Sequence, residues 1–346
     1  MGYFRKTIEQ MAGYTSGFQP NQADAVKLNT NENPWLCSPK VLEAIGNITA
    51  ENLQKYPEAR ADSFRAAAAV VLEIEPKNII CANGGDDLLT ICFRSFCDAD
   101  RPVVFPEPTY SLYPVLANLQ GCEAIGIPRD EKGALDEMAK IDAAMTIVCN
   151  PNAPTGDFIL VDELATLAGQ LSGVLLIDEA YVDFADNNAI RLIKDFNNVV
   201  ILRSMSKGYS LAGIRFGYGI ASAALIDGLM KVKDSYNVDV IAIAAATAAI
   251  GDQPHLKMNI EKIKAERRRL VGELRSMGFE VADSQTNFVL ATSIEKAAKT
   301  VYEALVEKNI FIRYFPLPDL EDKLRITIGT PEQNDKLLAA LTEIID

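Results

Sequence analysis

The stretch Val199-Val200-Ile201-Leu202-Arg203-Ser204-Met205-Ser206-Lys207, followed by Gly213 and Arg215, decides how this chain is read. Its four leading apolar residues read as a buried strand. Lys207 then falls just beyond a strand end, where open α/β sheets place their ligands. Hydroxyls stand three and one residues before the lysine, and an arginine stands eight residues after it. An amine among hydroxyl and guanidinium donors suits a ligand that offers a carbonyl carbon and an anionic group together.

Outward from that stretch, short apolar runs alternate with helical patterns from about residue 38 to residue 235. The expected strands are 79–82, 103–105, 124–127, 146–149, 174–177, 199–202 and 216–220, and helices between them fit 61–73, 87–96, 110–119 and 162–171. The strands are continuously apolar rather than alternating, as in a parallel sheet covered on both faces. The expected fold class is therefore α/β, a mostly parallel, doubly wound sheet of seven strands, with a smaller α+β domain at the C-terminal end. Residues 1–28 read as an arm, 29–236 as the large domain and 237–346 as the small one. In the last of these, 237–251 reads as a buried helix and 260–277 as an amphipathic one whose run Arg267-Arg268-Arg269 forms a solvated face. Strands at 288–290, 311–314 and 324–328 flank a helix at 294–308, and Thr330 with Gln333 forms a capping box for the last helix.

Composition narrows the function classes. Of 346 residues, 49% are apolar, enough for a sizeable core, and a formal charge of −13 argues against nucleic acid and anionic membranes as partners. No apolar run approaches the roughly 20 residues that span a bilayer. The six cysteines lack CxxC spacing and read as buried reduced thiols. With no signal core after Met1, the expectation is a soluble, cytoplasmic protein. The single histidine, His255, reads as an exposed loop or helix-start residue, so neither a histidine-based metal site nor a Ser-His-Asp triad is expected.

Five further groups carry chemistry. Asp178, in Asp178-Glu179-Ala180-Tyr181, follows a buried strand, where it either pairs with a cationic ring nitrogen or caps a helix. Asn83-Gly84-Gly85-Asp86 opens a helix and reads as an anion cradle or an ordinary glycine turn. Asn150-Pro151-Asn152-Ala153-Pro154-Thr155-Gly156 brings an amide to the sheet edge or makes a rigid turn. Tyr110 either stacks on a flat heterocycle or belongs to the core. Arg313 and Arg325 interrupt apolar strands and either meet anions or lie exposed at an edge. Together these suit pyridoxal phosphate, which needs an amine, an acid for its ring nitrogen and donors for its phosphate.

On these residues the chain resembles the pyridoxal-phosphate aminotransferases of the aspartate-aminotransferase fold. Lys55-Tyr56-Pro57 adds to this resemblance, and the motifs Leu28-Asn29-Thr30-Asn31-Glu32-Asn33-Pro34 and Leu324-Arg325-Ile326-Thr327-Ile328-Gly329-Thr330 are most similar to the histidinol-phosphate aminotransferases. The resemblance implies that Lys207 holds the cofactor and shuttles a proton, Asp178 meets the pyridine nitrogen, Tyr181 meets the ring oxygen and Tyr110 stacks on the ring. Gly85, Asp86, Ser204, Ser206 and Arg215 would bind the phosphate, joined by Tyr56 from the other subunit of a homodimer. Tyr14, Asn31, Arg313 and Arg325 would line the substrate pocket. The family's asparagine before Pro-Thr-Gly is replaced by Ala153, so Asn152 is expected to take over its contact. The activity implied is transamination from histidinol phosphate to 2-oxoglutarate in histidine biosynthesis. A threonine-phosphate decarboxylase of cobalamin synthesis and an aromatic-amino-acid aminotransferase are the alternatives on the same scaffold. A cofactor-binding regulator is disfavoured by the charge and by the lack of a DNA-binding segment. A Rossmann dehydrogenase would need the G-x-G-x-x-G turn that Asn83-Gly84-Gly85-Asp86 lacks.

Overall fold

The computed structural model describes residues 2–13, 17–22, 24–129 and 133–345. Its strands are β1 (Val26–Lys27), β2 (Ile79–Ala82), β3 (Val103–Glu107), β4 (Ala124–Pro128), β5 (Met145–Cys149), β6 (Val174–Asp178), β7 (Val199–Ser204), β8 (Gly217–Ala221), β9 (Glu280–Val281), β10 (Phe288–Thr292), β11 (Ile310–Phe311), β12 (Arg313–Tyr314) and β13 (Lys323–Thr327). Seven of them form one sheet in the order β2-β8-β7-β6-β5-β3-β4. All its pairings are parallel except those of β8, which runs against both β2 and β7. The central strands β5, β6 and β7 are almost wholly buried, which is why their sequences show no polar alternation.

Two core clusters, one on each face, hold the helices against this sheet. The glycines of β8 mark close approaches. A Cβ on Gly217 would lie 2.7 Å from the Gly84 backbone, and one on Gly219 would lie 2.9 Å from Ile80. The fold is α/β, with a smaller C-terminal part built on the antiparallel sheet β12-β13-β10-β9. The buried Ala/Ile helix is Val240–Ile250, capped by Asp239, whose carboxylate accepts from Ala242 N at 2.8 Å. The last helix carries its capping box, with Gln333 N donating to Thr330 Oγ1 at 3.3 Å and Thr330 N donating to Gln333 Oε1 at 2.9 Å. His255 lies in the first turn of helix Gln253–Ser276, half-buried rather than exposed as expected, with its ring Nε2 3.1 Å from Leu36 O.

Three further details differ from expectation. Residues 311–314 do not make one strand. Ile310–Phe311 pairs in parallel with Val26–Lys27, while Arg313–Tyr314 joins the four-stranded sheet. The end of the N-terminal segment is thereby tied to the tail, and Thr327 N donates to Leu28 O at 3.0 Å. The run Arg267-Arg268-Arg269 is not wholly solvated: Arg267 donates to Thr286 O at 2.5 Å, and Arg269 bridges Glu266 and Asp335. All six cysteines are free and five are buried.

Candidate active site

The C-terminal ends of β5, β6 and β7 open into a cleft of about 1880 Å³, walled on the far side by β12, β13 and residues 29–32. Asp178, the last residue of β6, lies at its floor with 4% exposure. It accepts hydrogen bonds from Tyr113 Oη at 2.7 Å and Ala180 N at 3.0 Å. No described cation pairs with it. Burial pushes its carboxyl up to about 6, against the opposing pull of those two hydrogen bonds.

Lys207 follows β7 in a turn that Asn33 anchors by donating to the carbonyls of Lys207 and Gly208 at 3.2 and 3.1 Å. Its Nζ donates to Thr30 O at 3.0 Å and stands 5.7 Å from the centre of the Tyr181 ring. Burial, then the Arg325 and Arg215 guanidinium groups, push this amine down to about 8, while Glu32 and Asp86 oppose them. Tyr181 accepts from Asn31 Nδ2 at 2.9 Å, and burial raises its phenol to about 12, so it stays protonated.

The anion end is built from backbone geometry. Gly84 takes φ +90°, and a Cβ there would lie 2.8 Å from Arg215 Nη2, so only glycine fits. Helix Gly85–Phe96 starts beside it, leaving its first N–H groups without intrahelical partners. Arg215 is held at φ +56° and reaches Asp86 Oδ2 at 3.3 Å. Tyr110 donates to Asp86 Oδ1 at 3.1 Å, and Ser204 Oγ accepts from Ser206 N at 3.2 Å. On the opposite wall Arg313 and Arg325 are register neighbours on β12 and β13. Their guanidinium carbons lie 5.2 and 5.4 Å from the centre of the Phe315 ring, and Arg325 also donates to Asn29 O at 2.8 Å.

Every residue just placed at the floor, the lysine turn, the anion end and the arginine wall lines this one cleft, apart from Asn33, Gly84, Tyr113 and Gly208. Asn152 does not. It is fully buried and its amide ties its own loop to the one after β3: Nδ2 donates to Pro108 O at 3.0 Å and Thr155 Oγ1 at 2.7 Å, and Oδ1 accepts from Thr109 at 2.8 Å. The expected takeover from Ala153 is therefore corrected, and Ala153 itself meets the cleft. Tyr56 is 81% exposed, stacked on Tyr236 at 4.5 Å, and is not part of its own chain's cleft. Tyr14 lies outside the described residues.

The sequence reading missed Tyr113 and Asn33. Tyr113 sits one turn after Tyr110, and Asn33 lies inside the quoted Asn31-Glu32-Asn33-Pro34, so spacing and motif were the available signals. Among the described residues no cluster of three His, Cys, Asp or Glu side chains is arranged for a metal ion, and no helix is long and apolar enough to cross a membrane. Pyridoxal phosphate fits the donor set. The floor holds a buried carboxylate with no cation of its own, the glycine turn and Arg215 form an anion cradle, and between them is an amine whose proton is loosely held.

The profile of the family described as aminotransferase class I and II matches residues 23–341. The histidinol-phosphate aminotransferase 1 of Nostoc sp. is 46% identical to this chain, over 99% of this chain and 98% of that relative. The histidinol-phosphate aminotransferase of Citrifermentans bemidjiense is 41% identical, over 98% of each chain. Among solved structures, histidinol-phosphate aminotransferase from Sinorhizobium meliloti in complex with pyridoxal-5'-phosphate superimposes with a TM-score of 0.91 at 27% identity, covering 100% of this chain and 98% of that one.

Proposed function

This chain belongs to the class I and II aminotransferase family, among the histidinol-phosphate aminotransferases, and we propose that it transfers the amino group of histidinol phosphate to 2-oxoglutarate, giving imidazole acetol phosphate and glutamate. Pyridoxal phosphate, when bound, supplies the aldehyde that takes the amine and the ring that draws electrons from the neighbouring carbon. Gly85 and Asp86 amides, the Ser204 and Ser206 hydroxyls and Arg215 would bind its phosphate. Asp178 would meet the ring nitrogen, Tyr181 the ring oxygen, and Tyr110 the ring face.

Lys207 Nζ both holds the cofactor and moves the proton of the reacting carbon. A base works best when its proton affinity lies near the working pH. Burial and the two arginines bring this amine down to about 8, so a usable fraction is neutral under mild conditions. Lys207 also contacts Thr30 O rather than a carboxylate, which leaves its proton free to move. Asp178, ionised, would keep a positive charge on the cofactor's ring nitrogen.

The substrate assignment rests most on the register pair Arg313 and Arg325, two guanidinium groups on one wall with Phe315 against both. Bidentate forks of this kind receive phosphate and carboxylate, so one wall serves both the phosphorylated donor and the dicarboxylate acceptor. Supplying histidinol phosphate, O-phosphothreonine and aromatic amino acids with 2-oxoglutarate tests this. Glutamate formation is expected to be fastest with histidinol phosphate. Carbon dioxide release from O-phosphothreonine, or a preference for an aromatic amino acid, contradicts the assignment.

The proposal includes a homodimer in the cytoplasm. Tyr56 and Tyr236 stack in the open, Leu36, Leu42, Leu53 and Met258 are exposed, and helix Pro39–Gly46 packs on Val240–Ile250. A second copy covering them would bring Tyr56 to the neighbouring phosphate cradle. The free thiols suit a reducing compartment. Sedimentation is expected to give twice the mass of one chain; the mass of one chain at micromolar concentration contradicts it.

A further inference from the structure

Among the described residues only one side chain donates to the floor carboxylate, and it has no role in the reading above. Tyr113, fully buried in the first turn of helix Leu112–Gln120, gives its hydroxyl to Asp178 Oδ2 at 2.7 Å. The same ring stands edge-on to Tyr110 at 5.7 Å and tilted against Phe105 at 5.9 Å. One side chain thus touches both the floor acid and the aromatic wall of the cleft. A phenylalanine would fill this core position equally well, and a buried hydroxyl is unfavourable unless it is bonded. Most buried side-chain donors find backbone or water. This one is aimed at an ionisable group of the cleft.

We propose that Tyr113 is a positioning residue: its hydroxyl holds Asp178 ionised and turned toward the cofactor's ring nitrogen, and so sets the lowest pH at which the site takes up pyridoxal phosphate. The inference rests on the role given to Asp178 above. A hydroxyl donating to a carboxylate makes a stronger bond than one donating to a neutral acid, so it favours the ionised form. The other groups facing Asp178 offer little help. Ala180 N donates to it, Asp86 and Glu179 repel its charge, and Tyr181 and the Cys149 thiol are neutral. Burial and the neighbouring Asp178 push the Tyr113 phenol well above its ordinary value, so it remains a donor throughout.

Tyr113→Phe removes one oxygen and keeps the ring. The dissociation constant of pyridoxal phosphate from the apoenzyme is measured for wild type and variant on either side of the Asp178 titration near 6. If the lost bond lifts that titration by about one pH unit, binding is weakened about five-fold at about pH 6 and unchanged at about pH 8.5. Unfolding of the apoenzyme gives a second reading: the variant's loss of stability is expected to grow as pH rises through the same range. A loss that is equal at both pH values, in binding or in stability, marks a packing role and overturns the proposal, as does no loss at all. Adding Tyr113→Phe to Asp178→Asn is expected to cause no further weakening at about pH 6, since the group it acts on has gone. Should Asp178→Asn alone bind the cofactor as the wild type does, the role of Asp178 fails, which is a different result from a pH-independent Tyr113→Phe.

Discussion

Asp178 and Glu179 are chain neighbours, both buried and both carboxylates, yet the protein treats them differently. Glu179 is satisfied from within. Arg203 Nε donates to it at 2.9 Å, and Ala189 N does so at 2.5 Å. Asp178, one residue earlier at the same strand end, receives a hydroxyl and one amide but no cation among the described residues. The fold was able to place an arginine against a buried acid one residue away. That it leaves Asp178 without one fits the proposal that the floor of the cleft is half of a pair, with the positive half brought by the cofactor. The two acids also divide the work. The Glu179–Arg203 pair fastens the end of β6 to β7, while Asp178 and Lys207 use the positions so fixed.

This contrast is open to direct attack. The largest effect is expected from Arg203→Met, which strands Glu179 as an unpaired buried charge and should lower unfolding free energy by about 3–5 kcal/mol in a denaturant titration. A loss below about 1 kcal/mol would show that the pair is not what secures these strand ends. Asp178→Asn should instead leave the fold intact and lower transamination by about 10²–10³-fold, as losing one preorganised charge does elsewhere. The smallest effect sharpens the comparison. Relative to its ordinary 3.8, the Asp178 carboxyl in the apoenzyme is raised to about 6. Between those values the folded state holds a proton that the unfolded state has released, so this group's contribution to stability falls as pH rises. The apoenzyme of Asp178→Asn should therefore match the wild type near pH 4 and exceed it above pH 6, by at most about 3 kcal/mol. An Asp178→Asn apoenzyme that is less stable than wild type above pH 6 would mean that the acid is structurally paired after all.

Much of this was legible before any coordinates. The strands of the large sheet appear as uninterrupted apolar runs because both faces are covered, and their ends deliver Asp178, Ser204 and Lys207 in order. The reversed direction of β8 was not legible, because hydrophobicity reports burial and says nothing of strand polarity. The run at 311–314 looked like one strand because the break at Ile312 carries no glycine, proline or charge. In the site, residues whose chemistry is unusual for their setting stood out: a lysine after a buried strand, and arginines among Ile and Phe. Those whose chemistry suits an ordinary role did not. Tyr113 passes for core in Leu112-Tyr113-Pro114-Val115, and its direction depends on an acid 65 positions away. Asn152 failed for the converse reason. Its amide looked available, but a loop with few backbone partners consumed it.

The account turns on which amine carries the cofactor. Loading the enzyme with pyridoxal phosphate, reducing it with borohydride and locating the fixed pyridoxyl group by peptide mass spectrometry answers this in one experiment. One group per chain on Lys207 is the predicted result. A group fixed instead on another lysine, such as Lys27 or Lys233, or spread over several, would contradict it.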